Sequence, residues 1–207
     1  MNALRLTRRL RPVSWTLAVL GLVVIIVWQA VTWTSSSTSA NDRAAPSVDA
    51  EPGLAVYPPK ERIAAPSLEG TTLHGDSFAL SGWTGKIVVI NVWGSWCGPC
   101  RAETPDLVRI AREDAGRGVR FVGINTRDNP AAARSFVSRF NVPYPSLEDD
   151  DGRLILNFRN VIPTAVVPSS VIVDRQGKVA ARVIGPVTYT TLKGLLDDEI
   201  AATGDAR

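Results

Sequence analysis

Cysteine and histidine are almost missing from this chain: its 207 residues include two cysteines, Cys97 and Cys100, and one histidine, His74. Structural zinc takes four Cys or His ligands, and three are too few for a site within one chain. His74 also lies some twenty residues upstream, in a stretch that reads as a turn. A haem attachment requires histidine directly after the second cysteine, where Arg101 stands. Positive charge is scarce where a nucleic acid would need it. Residues 1–40 hold four arginines and no acid, so 19 basic residues face 20 acidic ones in the remainder, leaving no basic stripe. Internal repeats are absent as well.

One long stretch lacks charge altogether. Ser14 to Trp33 is 20 residues of SWTLAVLGLVVIIVWQAVTW, and at about 1.5 Å per residue such a helix spans roughly 30 Å, the thickness of a bilayer core. Arg5, Arg8, Arg9 and Arg11 on its N-terminal side place the first residues in the cytoplasm and the rest of the chain outside. A cleaved signal peptide ending near Thr38-Ser39-Ala40 is the competing reading, although its apolar core is usually about 7 to 15 residues. Both readings export the domain. The expected organisation is a basic cytoplasmic N-terminus (1–13), a single-pass transmembrane anchor (14–33), a flexible Ser/Ala/Pro/Asp-rich linker (34–60) and one domain (61–207). The linker's root-mean-square reach is on the order of 28 Å.

Within the domain, residues 66–86 alternate briefly between breaks of Gly and Asp, which predicts a hairpin. IVVINVW (87–93) and RFVGINT (120–126) are continuous apolar runs, the pattern of strands buried on both faces. Helical spacing follows the cysteines as far as Gly116. Asn129-Pro130 before AAARSFVSRF fits an N-cap and a first-turn proline. LILNF (154–158) is ambiguous between helix and strand. SSVIVDRQGKVAARVIG reads as two strands joined at Arg175-Gln176-Gly177, and TYTTLKGLLDDEIAA as a closing helix. The order β-α-β-α then β-β-α implies an α/β fold, a mixed central sheet flanked by helices.

The two thiols sit in NVWGSWCGPCRAE. A disulfide closing so small a loop removes little chain entropy and makes a poor structural staple. Dithiol redox chemistry remains, and the local sequence suits it. Cys97 falls where a strand ends and a helix begins, so free backbone N–H groups and the helix dipole favour a thiolate there. Cys100, one turn further in, can attack the mixed disulfide formed at Cys97. Pro99 suits the first helical turn, and Gly98 leaves little bulk beside the attacking sulfur.

NVWGSWCGPCRAETPDL resembles the active site of the thioredoxin superfamily. Its N-x-W-x-x-W-C-x-P-C-x-x-E-x-P form is similar to the membrane-anchored TlpA, ResA and CcmG (DsbE) branch, over about residues 62–203. The resemblance implies a thioredoxin-like fold with an N-terminal β-hairpin extension and a central insertion near Val142–Phe158. Trp96 matches the tryptophan before the first cysteine, Pro105 the proline that kinks the active-site helix, and Pro168 the family's cis-proline facing the disulfide. Trp96, Pro99, Val167 and Pro168 are therefore the expected docking surface for a substrate. One position departs: thioredoxins proper carry a buried aspartate six residues before the first cysteine, where this chain has Asn91, whose amide exchanges no proton at neutral pH. Glu103 matches the glutamate that ResA-like proteins place near the thiols, and the expectation is that it takes or relays the proton of Cys100.

The implied activity is extracytoplasmic thiol-disulfide exchange in the reducing direction, for instance on apocytochrome c. Electrons would come from a membrane carrier of the CcdA or DsbD type, and no metal or cofactor beyond the Cys97–Cys100 pair would be needed. An oxidase or isomerase of the same fold stays open, because a dipeptide does not set the potential. A thiol-dependent binding module or metallochaperone is more distant, since no suitable histidine exists. A peroxidase reading is weaker again, with Gly94 where a threonine would stand three residues before Cys97.

Overall fold

A computed structural model describes residues 53–202. The anchor, most of the linker and the last five residues lie outside that range. Within it, no helix is long and apolar enough to cross a membrane.

Among the described residues, eight strands and four α-helices follow one another: β1 (Leu54–Val56), β2 (Glu69–Thr71), β3 (Ser77–Ala79), β4 (Ile87–Trp93), α1 (Gly98–Asp114), β5 (Val119–Thr126), α2 (Pro130–Phe140), β6 (Ser146–Asp149), α3 (Arg153–Asn157), β7 (Ser169–Val173), β8 (Val179–Ile184) and α4 (Tyr189–Ala202). Six strands form one mixed sheet in the order β1-β8-β7-β4-β5-β6, and β2 with β3 makes the expected hairpin. β4 runs parallel to β5 and antiparallel to β7, which puts it at the centre of the sheet. All seven of its residues are buried, as suits a central strand dominated by Ile and Val.

Because side chains alternate along a strand, β4 serves two cores. Val88, Ile90 and Val92 point to the face covered by the hairpin region, α3 and the segment after it, where they meet Leu68, Ile155, Phe158 and Ile162. Ile87 and Val89 point to the other face and pack with Leu107 and Ile110 of α1 and Leu192 and Leu196 of α4. Asn91 and Trp93 share the parity of Ile87 and Val89, so both fall on the face that α1 covers. Trp93 stacks on Phe136 of α2, with ring centroids 4.6 Å apart.

Two short strands depart from the sequence reading. The linker expected through residue 60 ends earlier, since Leu54, Ala55 and Val56 pair in antiparallel register with Val183, Arg182 and Ala181. Three residues are too few to show an alternation, and the β8 edge that recruits them lies about 130 residues away in sequence. β6 was likewise unexpected. Its Gly123–Ser146 to Thr126–Asp149 pairing with β5 extends the sheet at the far edge. LILNF resolves as helix: Asp149 Oδ1 and Oδ2 accept the Leu154 and Ile155 N–H groups at 2.8 and 3.2 Å, which starts α3. His74 is exposed in the turn of the β2–β3 hairpin.

Candidate active site

The Cys97–Cys100 pair lies at the junction of β4 and α1. The two sulfurs form a disulfide, with Cα atoms 5.3 Å apart. Cys97 is the N-cap of α1: its φ of −83° and ψ of 113° are extended, and its sulfur accepts the Cys100 N–H at 3.1 Å. One of the free N–H groups of the helix start is thus already aimed at that sulfur, and the amino end of the dipole adds to it. Pro99 occupies the first turn, where its missing N–H has no partner to lose. Cys97 is 3% exposed and Cys100 fully buried, so of the two only Cys97 keeps any accessible area.

A ring of residues surrounds this sulfur. Trp96 is 56% exposed, and Gly98 and Pro99 are exposed beside it. The Val167 carbonyl oxygen lies 3.8 Å from Cys97 Sγ, a contact in the disulfide and an acceptor for the thiol. Val167-Pro168 is a cis peptide bond, half-buried at Val167 and buried at Pro168, and leads directly into β7. Of the expected docking residues, Trp96 and Pro99 flank the Cys97 position in the chain, the Val167 carbonyl faces its sulfur, and Pro168 is buried next to Val167. Gly94 is fixed by Trp96: a Cβ at position 94 would stand 2.6 Å from the indole. A threonine there would displace the ring, so the peroxidase arrangement does not fit.

Pro105 lies inside α1 and supplies no N–H, which leaves the Arg101 carbonyl without its helical partner. The Thr104 hydroxyl donates to the Cys100 carbonyl at 2.6 Å in the same turn.

Behind the thiols, Glu103 is 3% exposed. Its Oε1 accepts Asn91 Nδ2 at 2.9 Å and its Oε2 accepts the Val187 N–H at 2.9 Å. Asn91 Nδ2 also donates to Ser170 Oγ at 3.2 Å. Burial is the dominant influence on Glu103 and pushes its pKa from 4.5 up to about 7, while the Val187 and Asn91 donors pull the other way. Neither oxygen bonds a sulfur. The residue that replaces the thioredoxin aspartate is thus the one that holds the glutamate.

Sequence reasoning missed a second carboxylate. Asp128, after β5, accepts the Ser95 N–H at 2.5 Å and the Ser95 hydroxyl at 2.7 Å. Burial alone would raise its pKa, but bonds from Asn125, Ser95 and Asn129 outweigh it and hold the group below the usual carboxylate range. The only signal in the sequence was an aspartate just before the Asn129-Pro130 helix start.

A mixed sheet with a CGPC pair capping the helix after its central strand defines a thioredoxin-fold thiol-disulfide oxidoreductase. Residues 62–182 match the AhpC/TSA family, and the chain belongs to that family. It is similar to the thiol:disulfide interchange protein HelX of Rhodobacter capsulatus, 34% identical over 58% of this chain and 65% of HelX. It also resembles the thiol-disulfide oxidoreductase ResA of Bacillus thuringiensis, 31% identical over 64% of this chain and 74% of ResA. A solved structure of a secreted thiol-disulfide isomerase from Corynebacterium glutamicum superposes with a TM-score of 0.67, at 26% identity, covering 80% of this chain and 98% of the other.

Proposed function

We propose that this oxidoreductase is membrane-tethered, works outside the cytoplasm and reduces disulfides in polypeptides, apocytochrome c being the substrate that the resemblance to the ResA and CcmG branch favours. The observation that carries the reading is the unequal placement of the two sulfurs: one caps the helix and keeps a small accessible area, and the other is wholly buried behind it.

In this mechanism the Cys97 thiolate attacks a substrate disulfide, forming a mixed disulfide and releasing one substrate thiolate. Cys100 loses its proton to Glu103 and attacks Cys97 Sγ, which re-forms the internal disulfide and releases the second substrate thiolate. Two electrons pass to the substrate, and a membrane thiol carrier of the CcdA or DsbD type returns the pair to the dithiol. Trp96, Pro99, Val167 and Pro168 hold the substrate strand beside Cys97. The arginine-flanked run at 14–33 is the tether, which keeps the domain near such a carrier.

The isomerase or oxidase direction is the second reading, favoured by the likeness to the secreted isomerase. The equilibrium reduction potential of the Cys97–Cys100 pair, titrated against a thiol buffer at pH 7, separates the two. A value near the thioredoxin end, roughly −270 mV, supports the reductant. A value near roughly −120 mV means that the protein donates disulfides, and the cytochrome reading fails.

A further inference from the structure

Asp128, itself half-buried, and its partners form a hydrogen-bonded cluster that this chemistry does not use. Asp128 Oδ2 accepts the Ser95 N–H at 2.5 Å and Asn125 Nδ2 at 2.8 Å. Oδ1 accepts the Ser95 hydroxyl at 2.7 Å and the Asn129 N–H at 2.8 Å. Two of these four bonds come from Ser95, two residues before Cys97. Neighbouring bonds tie the same loop: Trp96 Nε1 donates to the Arg127 carbonyl at 3.1 Å, and Arg101 Nη2 donates to the Ser95 carbonyl at 2.5 Å. Arg127 adopts a φ of +52°, a left-handed conformation uncommon outside glycine, asparagine and aspartate.

We propose that Asp128 is a positioning residue for polypeptide disulfides: it pins the Gly94–Trp96 loop and so holds the exposed Trp96 indole as a preformed docking face beside Cys97. Trp96 is more than half exposed, yet its indole N–H is bonded to the segment next to Asp128, so the ring is ordered before any partner arrives. Ordering it in advance spares a polypeptide substrate that entropic cost on docking. A small disulfide, which needs only the sulfur, gains nothing from it.

The cluster requires a carboxylate. Each oxygen receives one backbone N–H, from Ser95 or from Asn129, and neither can rotate away. An asparagine at this position would set its NH2 group against one of them whichever way the amide turned. The isosteric amide is therefore a disruptive change, setting one backbone donor against another in place of an acceptor.

This inference rests on Cys97 being the attacking thiol, and the test separates the two. Reduced full-length protein is reacted with a small aromatic disulfide and with a disulfide-closed peptide. Wild-type protein that fails to react with the small disulfide would refute the Cys97 reading itself. With that reaction intact, Asp128→Asn is expected to slow the peptide reaction by about 10-fold or more, in line with the cost of misplacing a docking surface, and the small-disulfide reaction by less than about 3-fold. Ser95→Ala, which removes one bond of the four, should give the same selective loss at about 3-fold, and it decides the matter alone if Asp128→Asn does not fold. Equal losses toward both reagents, a loss confined to the small disulfide, or no loss at all overturn the proposal.

Discussion

Glu103 owes its chemical character to burial, against which the Val187 N–H and the Asn91 amide pull. In a dry setting a carboxyl group is driven toward its neutral form, while an amide and a backbone N–H pointing at it favour the anion. The balance falls at a pKa of about 7, where a proton is taken up or given back with little driving force either way. If Glu103 accepts the Cys100 proton, the rate of the intramolecular step in wild-type protein rises through about pH 7. In Glu103→Gln that inflection disappears and the step slows by roughly 100-fold. Stopped-flow resolution of a mixed disulfide across pH measures both, and an unchanged profile removes Glu103 from the mechanism. Asn91→Asp tests the same contact from the other side. Two carboxyls at the 2.9 Å separation now spanned by Asn91 and Glu103 would share one proton, moving the inflection above pH 7. Both residues were legible in the sequence, one as a departure from the family pattern and one as a match. Their bond was not, because no spacing rule links a strand position to a helix position twelve residues on. Val187, 84 residues further along, carried no signal at all.

At the scale of elements, the strands that could be read were those long enough to show a pattern. β4 and β5 announce themselves as unbroken apolar runs, and α2 is announced by Asn129, whose side chain accepts the Ala131 and Ala132 N–H groups at 2.9 and 3.2 Å. β1 and β6 are three and four residues long and exist because an edge of the sheet was free to recruit them. The central insertion was ambiguous for a related reason: a five-residue helix is too short to nucleate on propensity, and α3 depends on a side chain outside it. Asp149 is 2% exposed and satisfies two helix-start donors at once. Asp149→Ala should therefore cost about 2 kcal/mol in denaturant unfolding, with amide exchange accelerated first at Leu154 and Ile155. A loss below about 0.5 kcal/mol would mean that packing of Ile155 alone holds α3 in place.

Across the whole domain, a buried ion cluster and one buried acid contribute to stability in different ways. Arg62, ahead of the hairpin, bonds Asp174 at 3.0 Å in the β7–β8 turn and Glu199 at 2.5 Å in α4, the side chains being 10%, 5% and 11% exposed in that order. Arg62→Met would remove the cation that Asp174 and Glu199 share and is expected to cost about 3 to 5 kcal/mol in denaturant unfolding at neutral pH. Glu103 behaves otherwise. Its folded pKa lies above its unfolded value, so the native state binds the extra proton between pH 4.5 and about 7. Its contribution to stability is complete below pH 4.5 and is lost as pH rises through about 7. The two pKa values differ enough for about 3 kcal/mol. That figure is measured as a difference: the stability of wild-type protein minus that of Glu103→Gln should fall by about this amount between pH 4 and pH 8, while the Gln variant supplies the background from every other group. A flat difference would mean that Glu103 is solvated in the folded protein, and its role as a proton acceptor tuned by burial would fail with it.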